Sequence, residues 1–286
     1  MVVFECNGKH FYMDGKLDRE LREKIVPLLQ KKDKDCVIVI DGDERAGKSV
    51  FAQTIAARVT SITGAPFDSS NICMEPLELR KKIEVATKNE VIIDDEAHRG
   101  MSSRGTLTEV NKILVDMMME MGQKNLFVII ILPTFFMLDR YAALFRARGL
   151  FHVYERRNKR GFWVYFSKKR KITLFMKGKK EFNYNCMKWP SFRGRFSNQY
   201  LIDEDEYRKK KAGSFKHRPR VTKAEVFKEQ RDRLIYYIHQ ELKIGSIKLS
   251  RLMEERQIPL KKSTLIEILG RMRDLEGNAT DTELKK

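Results

Sequence analysis

CVIVIDGDERAGKSVFAQTIAARV, the stretch from Cys36 to Val59, contains the most informative pattern in the chain. It opens with a run of apolar and mostly β-branched residues, turns at Gly42 and again at Gly47, and continues with apolar residues at helical spacing. The apolar run predicts a buried strand, and the spacing after the second glycine predicts a helix. The sequence therefore predicts a strand, a glycine-rich loop and a helix in direct succession.

Strand-like and helix-like segments alternate beyond this stretch. Further strands are predicted at residues 71–74, 91–94, 126–132 and 150–156, and helices at Ser49–Thr60, Pro76–Thr87, Leu107–Met121 and Met137–Arg146. Continuous apolar strands separated by helices of this length are typical of a mostly parallel sheet with helices on both faces. We expect an α/β domain over residues 36–200.

A basic segment follows the last of these strands. From Arg156 to Lys188 the sequence has twelve Lys or Arg residues and one acidic residue, Glu181. The aromatic residues between these charges are Phe162, Trp163, Tyr165, Phe166, Phe175, Phe182 and Tyr184. We expect two strands joined by a basic turn, a β-hairpin extension that contacts phosphates and stacks on bases. An edge hairpin whose charges prevent aggregation is the alternative.

The two ends of the chain have different patterns. Residues 1–35 contain a hairpin signal at Asn7-Gly8, followed by helical spacing. Residues 201–220 are charged and broken by glycine and proline, which indicates a linker. Residues 221–286 have helical spacing, and a turn at Pro259 makes them resemble a small helix-turn-helix domain. A helical hairpin used for packing or oligomerisation is the alternative.

The chain is strongly basic, with 57 Lys and Arg against 39 Asp and Glu and a formal net charge of +18. This surplus favours a polyanionic partner, with nucleic acid ahead of an anionic membrane. The four cysteines form no CxxC pair, which argues against a zinc site or a disulfide framework and fits a cytoplasmic protein. No apolar run is long enough to span a bilayer, so no membrane partner is expected.

Residues Gly42–Ser49, GDERAGKS, match the pattern GxxxxGK[ST] between a predicted strand and a predicted helix. The backbone N–H groups of such a loop and the helix N-terminus together bind anions, and a lysine completes the positive site. We expect Lys48 to reach the β- and γ-phosphates of ATP and Ser49 to coordinate Mg²⁺. The predicted nucleotide-binding residues are Gly42, Arg45, Ala46, Gly47, Lys48, Ser49 and Val50.

Carboxylates follow a second apolar strand in VIIDDEAH, residues 91–98. Ligands of parallel sheets bind beyond the carboxyl ends of the strands, so these acids and the glycine-rich loop are expected to face one crevice. Asp95 is predicted to hold Mg²⁺, and Glu96 is predicted to be the general base that acts on the attacking water. Asp94 could exchange roles with Asp95, because the sequence leaves the register of the strand open.

The combination of GDERAGKS with VIIDDE resembles the P-loop ATPases of the additional-strand catalytic-glutamate class. Over residues 36–155 the arrangement is similar to the RecA-like DNA-pumping ATPases, including phage and archaeal packaging proteins and zonular-occludens-toxin-like proteins. The resemblance implies that LFVIIILPT supplies an extra strand between the two motif strands. It also implies that Thr134 is the sensor that contacts the γ-phosphate.

Ring-forming members of this class complete each site with an arginine from the neighbouring subunit. The resemblance therefore implies a homo-oligomer, such as a hexameric ring, and the candidates for the arginine finger are Arg140, Arg146 and Arg148. With Arg146 as the finger, the predicted catalytic residues are Lys48, Glu96, Thr134 and Arg146.

Three functions from different classes fit these features. The leading hypothesis is an ATPase that moves or remodels duplex DNA for packaging, transfer or transposition in a virus or mobile element. The alternative is a nucleotide-gated DNA-binding regulator with slow hydrolysis, and the third is a small-molecule kinase. The glutamate that follows Asp95 suits the activation of water, which disfavours the kinase.

Overall fold

The computed structural model describes residues 2–95, 124–186, 189–216, 223–256, 260 and 262–283. The helix predicted at Leu107–Met121 lies outside these ranges. The chain divides into two compact units, residues 1–217 and residues 218–286. No helix within the described ranges combines the length and the apolar composition that a membrane crossing requires.

The described part of the larger unit contains alternating strands and helices. Its strands are β1 (Val2–Cys6), β2 (Lys9–Met13), β3 (Cys36–Gly42), β4 (Ile72–Cys73), β5 (Val91–Asp95), β6 (Phe127–Ile131), β7 (Ala147–Arg156), β8 (Lys159–Ser167) and β9 (Phe192–Arg195). Its helices are α1 (Gly15–Glu20), α2 (Val26–Lys31), α3 (Lys48–Thr63), α4 (Pro76–Val85), α5 (Lys168–Gly178) and α6 (Glu204–Lys216). A π-helical turn, Leu21–Ile25, joins α1 to α2.

Seven of these strands form one sheet in the order β4-β5-β6-β3-β7-β8-β9. The strands from β4 to β7 in this order are parallel, whereas β8 and β9 are antiparallel to their neighbours. Helix α3 contributes to the apolar cluster on one face, and α4 and α5 contribute to the cluster on the other. The predicted α/β class, a mostly parallel sheet flanked by helices, is confirmed.

Strand β6 lies between β3 and β5, the position predicted for the extra strand. Ile131, at the end of β6, is in register with Ile40 of β3 and with Asp95 of β5. The loops that follow β3 and β5 therefore begin at the same edge of the sheet. This is the carboxyl edge of the parallel strands, where ligands of open α/β sheets bind.

Helix α3 is buried along most of its length because two layers cover it. It packs on the sheet at β5 and β6, and the β1–β2 hairpin and α1 add Phe4, Phe11 and Leu17 to the same cluster. Arg58 of α3 donates to the buried Asp18 of α1 at 2.6 Å. The N-terminal residues are therefore part of the core of the larger unit.

The basic extension differs from the prediction. Strands β7 and β8 form an antiparallel hairpin, but the second predicted strand is instead the helix α5. Its buried residues are Lys171, Leu174, Phe175 and Gly178. This spacing places them on one face of a helix, whereas the residues of a strand would alternate between two faces. Lys168 and Lys169, which were expected in a turn, therefore lie on the exposed face of a helix, whereas Lys171 of the same run is buried.

The chain after β6 is less regular than predicted. The helix expected at Met137–Arg146 is replaced by a 3-10 turn, Phe135–Met137, and a π-helical turn, Ala142–Arg146. Between them the Asp139 side chain accepts from Tyr141 N at 2.7 Å. This local hydrogen bond competes with the backbone bonding of a continuous helix.

The segment predicted as a linker, residues 201–220, contains α6. Asp203 caps the first turn by accepting from Glu206 N at 2.9 Å, and acidic residues at this end suit the helix dipole. Tyr207 is buried in the cluster around α3. The linker prediction is wrong over this helix, because the high charge of the segment conceals the buried Tyr207.

The smaller unit consists, in its described part, of α7 (Lys223–Glu241), α8 (Ser246–Glu255) and α9 (Lys262–Glu283). Its core residues are Ile235, Tyr236, Leu249, Met253, Leu265, Ile268, Leu269 and Met272. The buried Asp232 accepts hydrogen bonds from Arg231 and Arg271, which joins α7 to α9. Helices are present where the spacing predicts them, and Pro259 of the predicted turn lies outside the described residues.

A substitution at Gly42 tests the close approach of β3 to β7. It has a φ of +132°, and a Cβ there would lie 1.8 Å from the carbonyl oxygen of Val153. We expect Gly42→Ala to lower the free energy of unfolding by about 3 kcal/mol or more, because the methyl group must displace the backbone. Gly64→Ala is the matched control, since Gly64 also has a positive φ, +72°, but nothing lies within 4 Å of its Cβ position. The control should lose about 1 kcal/mol. Urea unfolding measures both, and equal losses would contradict the close approach.

Candidate functional site

The glycine-rich loop, Gly42–Ser49, joins β3 to α3. Arg45 and Gly47 have φ angles of +60° and +99°, and Gly47 is the N-cap of α3. The ring of Phe196 lies 3.1 Å from the position that a Cβ of Gly47 would take. The loop therefore turns back at the amino end of α3, where the first N–H groups lack acceptors within the helix. Such an end can bind an anion.

Lys48 lies against the carbonyl groups of the same loop. Its Nζ donates to the carbonyl oxygens of Gly42 and Asp43, each at 2.7 Å. Burial lowers the pKa of Lys48, and the charge of Lys211 lowers it further, while the neighbouring acids oppose this shift. The ammonium group is therefore positioned to contact an anion held by the loop.

Ser49 and Asp95 bring the loop and the end of β5 together. Ser49 Oγ donates to Asp95 Oδ1 at 3.1 Å. Asp95 is buried and lies on the same face of β5 as Val91 and Ile93, which belong to the cluster around α3. A hydroxyl and a carboxylate, both oxygen ligands that suit Mg²⁺, are therefore adjacent.

Asp94 lies on the other face of β5. It shares this face with Ile92, which belongs to the cluster on the side of the sheet opposite α3. Burial, reinforced by the charges of Asp95 and Glu78, raises the pKa of Asp94 to about 8. Its environment therefore favours the neutral form of Asp94, and Asp95 is the acid that faces the loop.

A cavity of roughly 860 Å³, hereafter the loop cavity, opens beside the glycine-rich loop. This volume lies in the range of small-molecule binding sites. Residues 44–50 and Asp95 form one side, and the end of β6, the start of β8 and the chain from Phe196 into α6 form the rest. The charged lining residues are the cations Arg45, Lys48, Arg160, Arg208 and Lys211 and the acids Glu44, Asp95 and Glu204. The excess of cations favours an anionic ligand.

The predicted nucleotide-binding residues from Arg45 to Val50 all line this cavity. Gly42 contributes differently, because its carbonyl oxygen accepts from Lys48 and its missing side chain lets β7 approach. The structure therefore brings the two sequence motifs together at one cavity.

Thr134 lies in a hydrogen-bond network around the buried Asp41. Thr134 Oγ1 is 2.8 Å from Tyr184 Oη. Asp41 accepts from that tyrosine hydroxyl and from Phe135 N at 2.8 Å, and its other oxygen lies 2.9 Å from His152 Nδ1. The hydroxyl of the predicted sensor therefore faces Tyr184, and Thr134 does not line the loop cavity.

The pair of Asp41 and His152 lies directly before the loop. Asp41 is fully buried, and a buried charge requires partners. Burial lowers the pKa of His152, but the hydrogen bond and charge of Asp41 outweigh this effect and raise it above the ordinary value of 6.5. The carboxylate at the end of β3 thus favours the protonated form of His152.

The candidate finger arginines lie away from the glycine-rich loop of their own chain. Arg146 forms an ion pair with Asp35, which precedes β3, and Arg148 is at the start of β7. Arg140 contacts the sulfur of Met176 in α5. Because β3 and β7 are parallel, Arg146 and Arg148 lie at the amino edge of the sheet, opposite the loop. A finger that reaches a neighbouring subunit stays a prediction.

Glu96, the predicted general base, lies outside the described residues. Within the part of the chain that the structure describes, no group of three or more His, Cys, Asp or Glu could hold a metal ion. Ser49 and Asp95 form a smaller set of oxygen ligands, of the kind that holds Mg²⁺ together with water and substrate phosphates. These residues therefore fit magnesium as part of a nucleotide complex.

Two residues of α6 complete the surroundings of Asp95, and the sequence did not reveal them. Tyr207 Oη donates to Asp95 Oδ2, and Lys211 Nζ lies 3.7 Å from the same oxygen. A tyrosine and a lysine four residues apart share a helix face, which is the signal that the charged stretch EDEYRKKKAG concealed. Their contact with Asp95 depends on the fold and could not be read from spacing.

No protein-family model matches the chain, and a search of curated proteins found no match. The contacts around the loop cavity are therefore the main support for a function.

The pair of Asp41 and His152 predicts a pH dependence of stability. Because the pKa of His152 is raised in the folded chain, the pair stabilises the fold fully below the ordinary value of 6.5. The stabilisation is lost as the pH rises through the folded-state pKa, since the folded chain then releases the proton as well. We expect the free energy of unfolding of the wild type to fall as the pH rises from the ordinary value of 6.5 through the folded-state pKa of His152. In His152→Gln it should fall less.

Thermal unfolding across the neutral pH range measures this difference. His10→Gln, which removes an exposed histidine of β2, is the control and should keep the wild-type slope. If His152→Gln and the wild type have the same slope, the charged pair does not form.

Proposed function

We propose that the chain is a RecA-like ATPase that binds ATP with Mg²⁺ in the loop cavity and uses hydrolysis to move or remodel duplex DNA. The observation that carries the proposal is the hydrogen bond from Ser49 to Asp95, which joins the glycine-rich loop to the acid of the second motif. The strand order β5-β6-β3 supports it, because an extra strand between the motif strands is expected for the additional-strand class.

The glycine-rich loop and Lys48 would bind the triphosphate. The N–H groups at the start of α3 would contact phosphate oxygens, and Lys48 Nζ would exchange a carbonyl partner for a phosphate oxygen. Ser49 and Asp95 would hold Mg²⁺ beside the β- and γ-phosphates. When bound, the ion would draw negative charge from the phosphate oxygens.

Hydrolysis requires a water molecule in line with the bond that breaks. The water oxygen forms a bond to the γ-phosphorus while the bond to the β–γ bridging oxygen breaks, and the bridging oxygen keeps the electron pair as ADP leaves. Glu96 is the proposed acceptor of the proton from water. The cations that line the loop cavity would stabilise the charge on the phosphate oxygens.

The proposal that DNA is the partner is supported by the charge of the chain and by the surface around α5. The net charge is +18, and the exposed lysines on and directly after α5 are Lys168, Lys169, Lys177, Lys179 and Lys180. Phosphates of a DNA backbone would bind to such a surface without regard to sequence. The helices of the smaller unit, which resemble a helix-turn-helix, would add a second contact.

The assembly and the biological setting rest on the resemblance of the two motifs alone. We propose a homo-oligomer, such as a hexameric ring, that acts in the cytoplasm on the DNA of a virus or mobile element.

Lys48→Ala tests nucleotide binding. We expect the Kd of a fluorescent ATP analogue with Mg²⁺ to rise roughly 10- to 100-fold, because a hydrogen bond to a charged group contributes about 1.5–3 kcal/mol. Lys34→Ala, which removes an exposed lysine before β3, is the matched control and should bind as the wild type does. Absence of ATP uptake by the wild-type chain would overturn the proposed function.

Lys179→Gln combined with Lys180→Gln tests the DNA surface. We expect weaker binding of duplex DNA and less stimulation of ATP turnover, and the slope of log K against log salt should fall by about 0.9 for each lost phosphate contact. Lys31→Gln combined with Lys32→Gln removes the same charge from another exposed surface and is the control. Filter binding over a salt series and a turnover assay measure both effects. If DNA leaves wild-type turnover unchanged and only one DNA sequence binds, the regulator replaces the motor.

A further inference from the structure

Helix α6 carries two side chains that reach the carboxylate of Asp95. Tyr207 Oη donates to Asp95 Oδ2, while Ser49 Oγ donates to the other carboxylate oxygen. Lys211, one turn after Tyr207, has its Nζ 3.2 Å from the tyrosine hydroxyl and 3.7 Å from Asp95 Oδ2. The acid proposed for magnesium therefore has a hydroxyl and an ammonium group of the same chain on its α6 side.

The segment that leads into α6 is fixed to the core of the larger unit. Gln53 of α3 accepts from Leu201 N at 2.9 Å and from Ile202 N at 3.4 Å. Lys9 Nζ donates to the carbonyl oxygens of Tyr200 at 3.1 Å and Ile202 at 2.8 Å. The start of α6 is therefore held in place by α3 and by the N-terminal hairpin.

Two ammonium groups share the loop cavity. Lys48 lines it from the glycine-rich loop and Lys211 lines it from α6. Arg208, also on α6, lines the same cavity. A ligand with several negative charges, such as a triphosphate, offsets the repulsion between these cations, whereas a neutral ligand does not.

We propose that Lys211 is a catalytic residue that contacts the γ-phosphate of ATP bound by its own chain, the task that an arginine finger performs from a neighbouring subunit. This inference rests on the proposed ATPase function. The ammonium group would move from Asp95 Oδ2 to the γ-phosphate oxygens, and Tyr207 would act as a positioning residue through its bond to Asp95. As the bond to the bridging oxygen breaks and the bond to the water oxygen forms, the ammonium stabilises the charge on the phosphoryl oxygens.

Lys211→Met removes the charge and keeps most of the length of the side chain. We expect kcat for Mg²⁺-dependent ATP hydrolysis to fall about 100- to 1000-fold, the usual effect of removing one transition-state donor. The Kd of the fluorescent ATP analogue should change by less than about tenfold, because the contact strengthens mainly in the transition state. Lys211→Arg should recover part of kcat. Lys209→Met, at an exposed position of the same helix, is the matched control and should keep the wild-type kcat.

Tyr207→Phe separates positioning from folding. Loss of the hydroxyl removes one hydrogen bond to a charged group, so kcat should fall roughly tenfold. KM for ATP should stay close to that of the wild type, whereas general damage to the fold would change both constants. This variant also keeps the proposal testable if Lys211→Met does not fold.

A mixing experiment determines which chain the lysine serves. Lys211→Met chains keep Lys48, and Lys48→Ala chains keep Lys211. If Lys211 acts within its own chain, mixed chains hydrolyse ATP no faster than the sum of the separate samples. Recovery of turnover on mixing would show that the cation crosses to a neighbour, and would overturn the assignment.

Other outcomes also overturn the proposal. Faster hydrolysis by Lys211→Met would mean that the lysine blocks Asp95 and inhibits the site. Wild-type turnover in Lys211→Met would show that the ammonium is not needed, while leaving the ATPase proposal intact. Failure of the wild-type chain to bind ATP would instead remove the proposed function itself, so the two failures can be distinguished.

Discussion

The register of β5, β6 and β3 is the constraint on which the loop cavity depends. These strands are buried on both faces, and Ile131 of β6 is aligned with Asp95 on one side and with Ile40 on the other. Because side chains alternate along a strand, a slip of one residue in β5 would turn Asp95 away from α3 and bring Asp94 toward it. Asp94 lies on the face of β5 opposite α3, where burial raises its pKa to about 8. The bond from Ser49 to Asp95 therefore follows from the register, and the register is held by the apolar strands.

A second buried acid, Asp41, lies on the face of the sheet opposite α3 and interacts with the positive charge of Lys48 in the loop. Its charge acts on both His152 and Lys48, and in each case it opposes the loss of the proton that burial favours. Its second oxygen accepts from Phe135 N, which fixes the turn after β6. Asp41 thus links the end of β3, the end of β6 and β7. This position explains why a charged residue ends an otherwise apolar strand.

The sequence is sufficient to predict the parts of the site that depend on local pattern. The strand, loop and helix around Lys48 follow from apolar runs and turn residues, whereas the position of the extra strand was expected only from the resemblance of the two motifs. The register of Asp95 could not be predicted, because two adjacent acids suit a strand end equally well until the neighbouring layers are known. The sequence predicts a strand in place of α5 and a linker in place of α6. In both segments many charged residues surround few apolar ones, such as Leu174 and Phe175 of α5, and this hides the helical spacing. Contacts between distant residues, such as Tyr207 and Asp95, leave no trace in spacing.

The position of α6 changes what a homo-oligomer would contribute. In a ring whose fingers come from neighbours, an isolated chain lacks a cation at the γ-phosphate, and assembly is required for turnover. Here Arg146 and Arg148 lie at the edge of the sheet opposite the glycine-rich loop, while Lys211 already lies beside Asp95. A cation supplied within the chain would leave hydrolysis independent of assembly, so that a ring would serve mainly to surround DNA. Turnover would then depend on the segment that holds α6, because any movement of this helix shifts Tyr207 and Lys211 relative to the acid they contact.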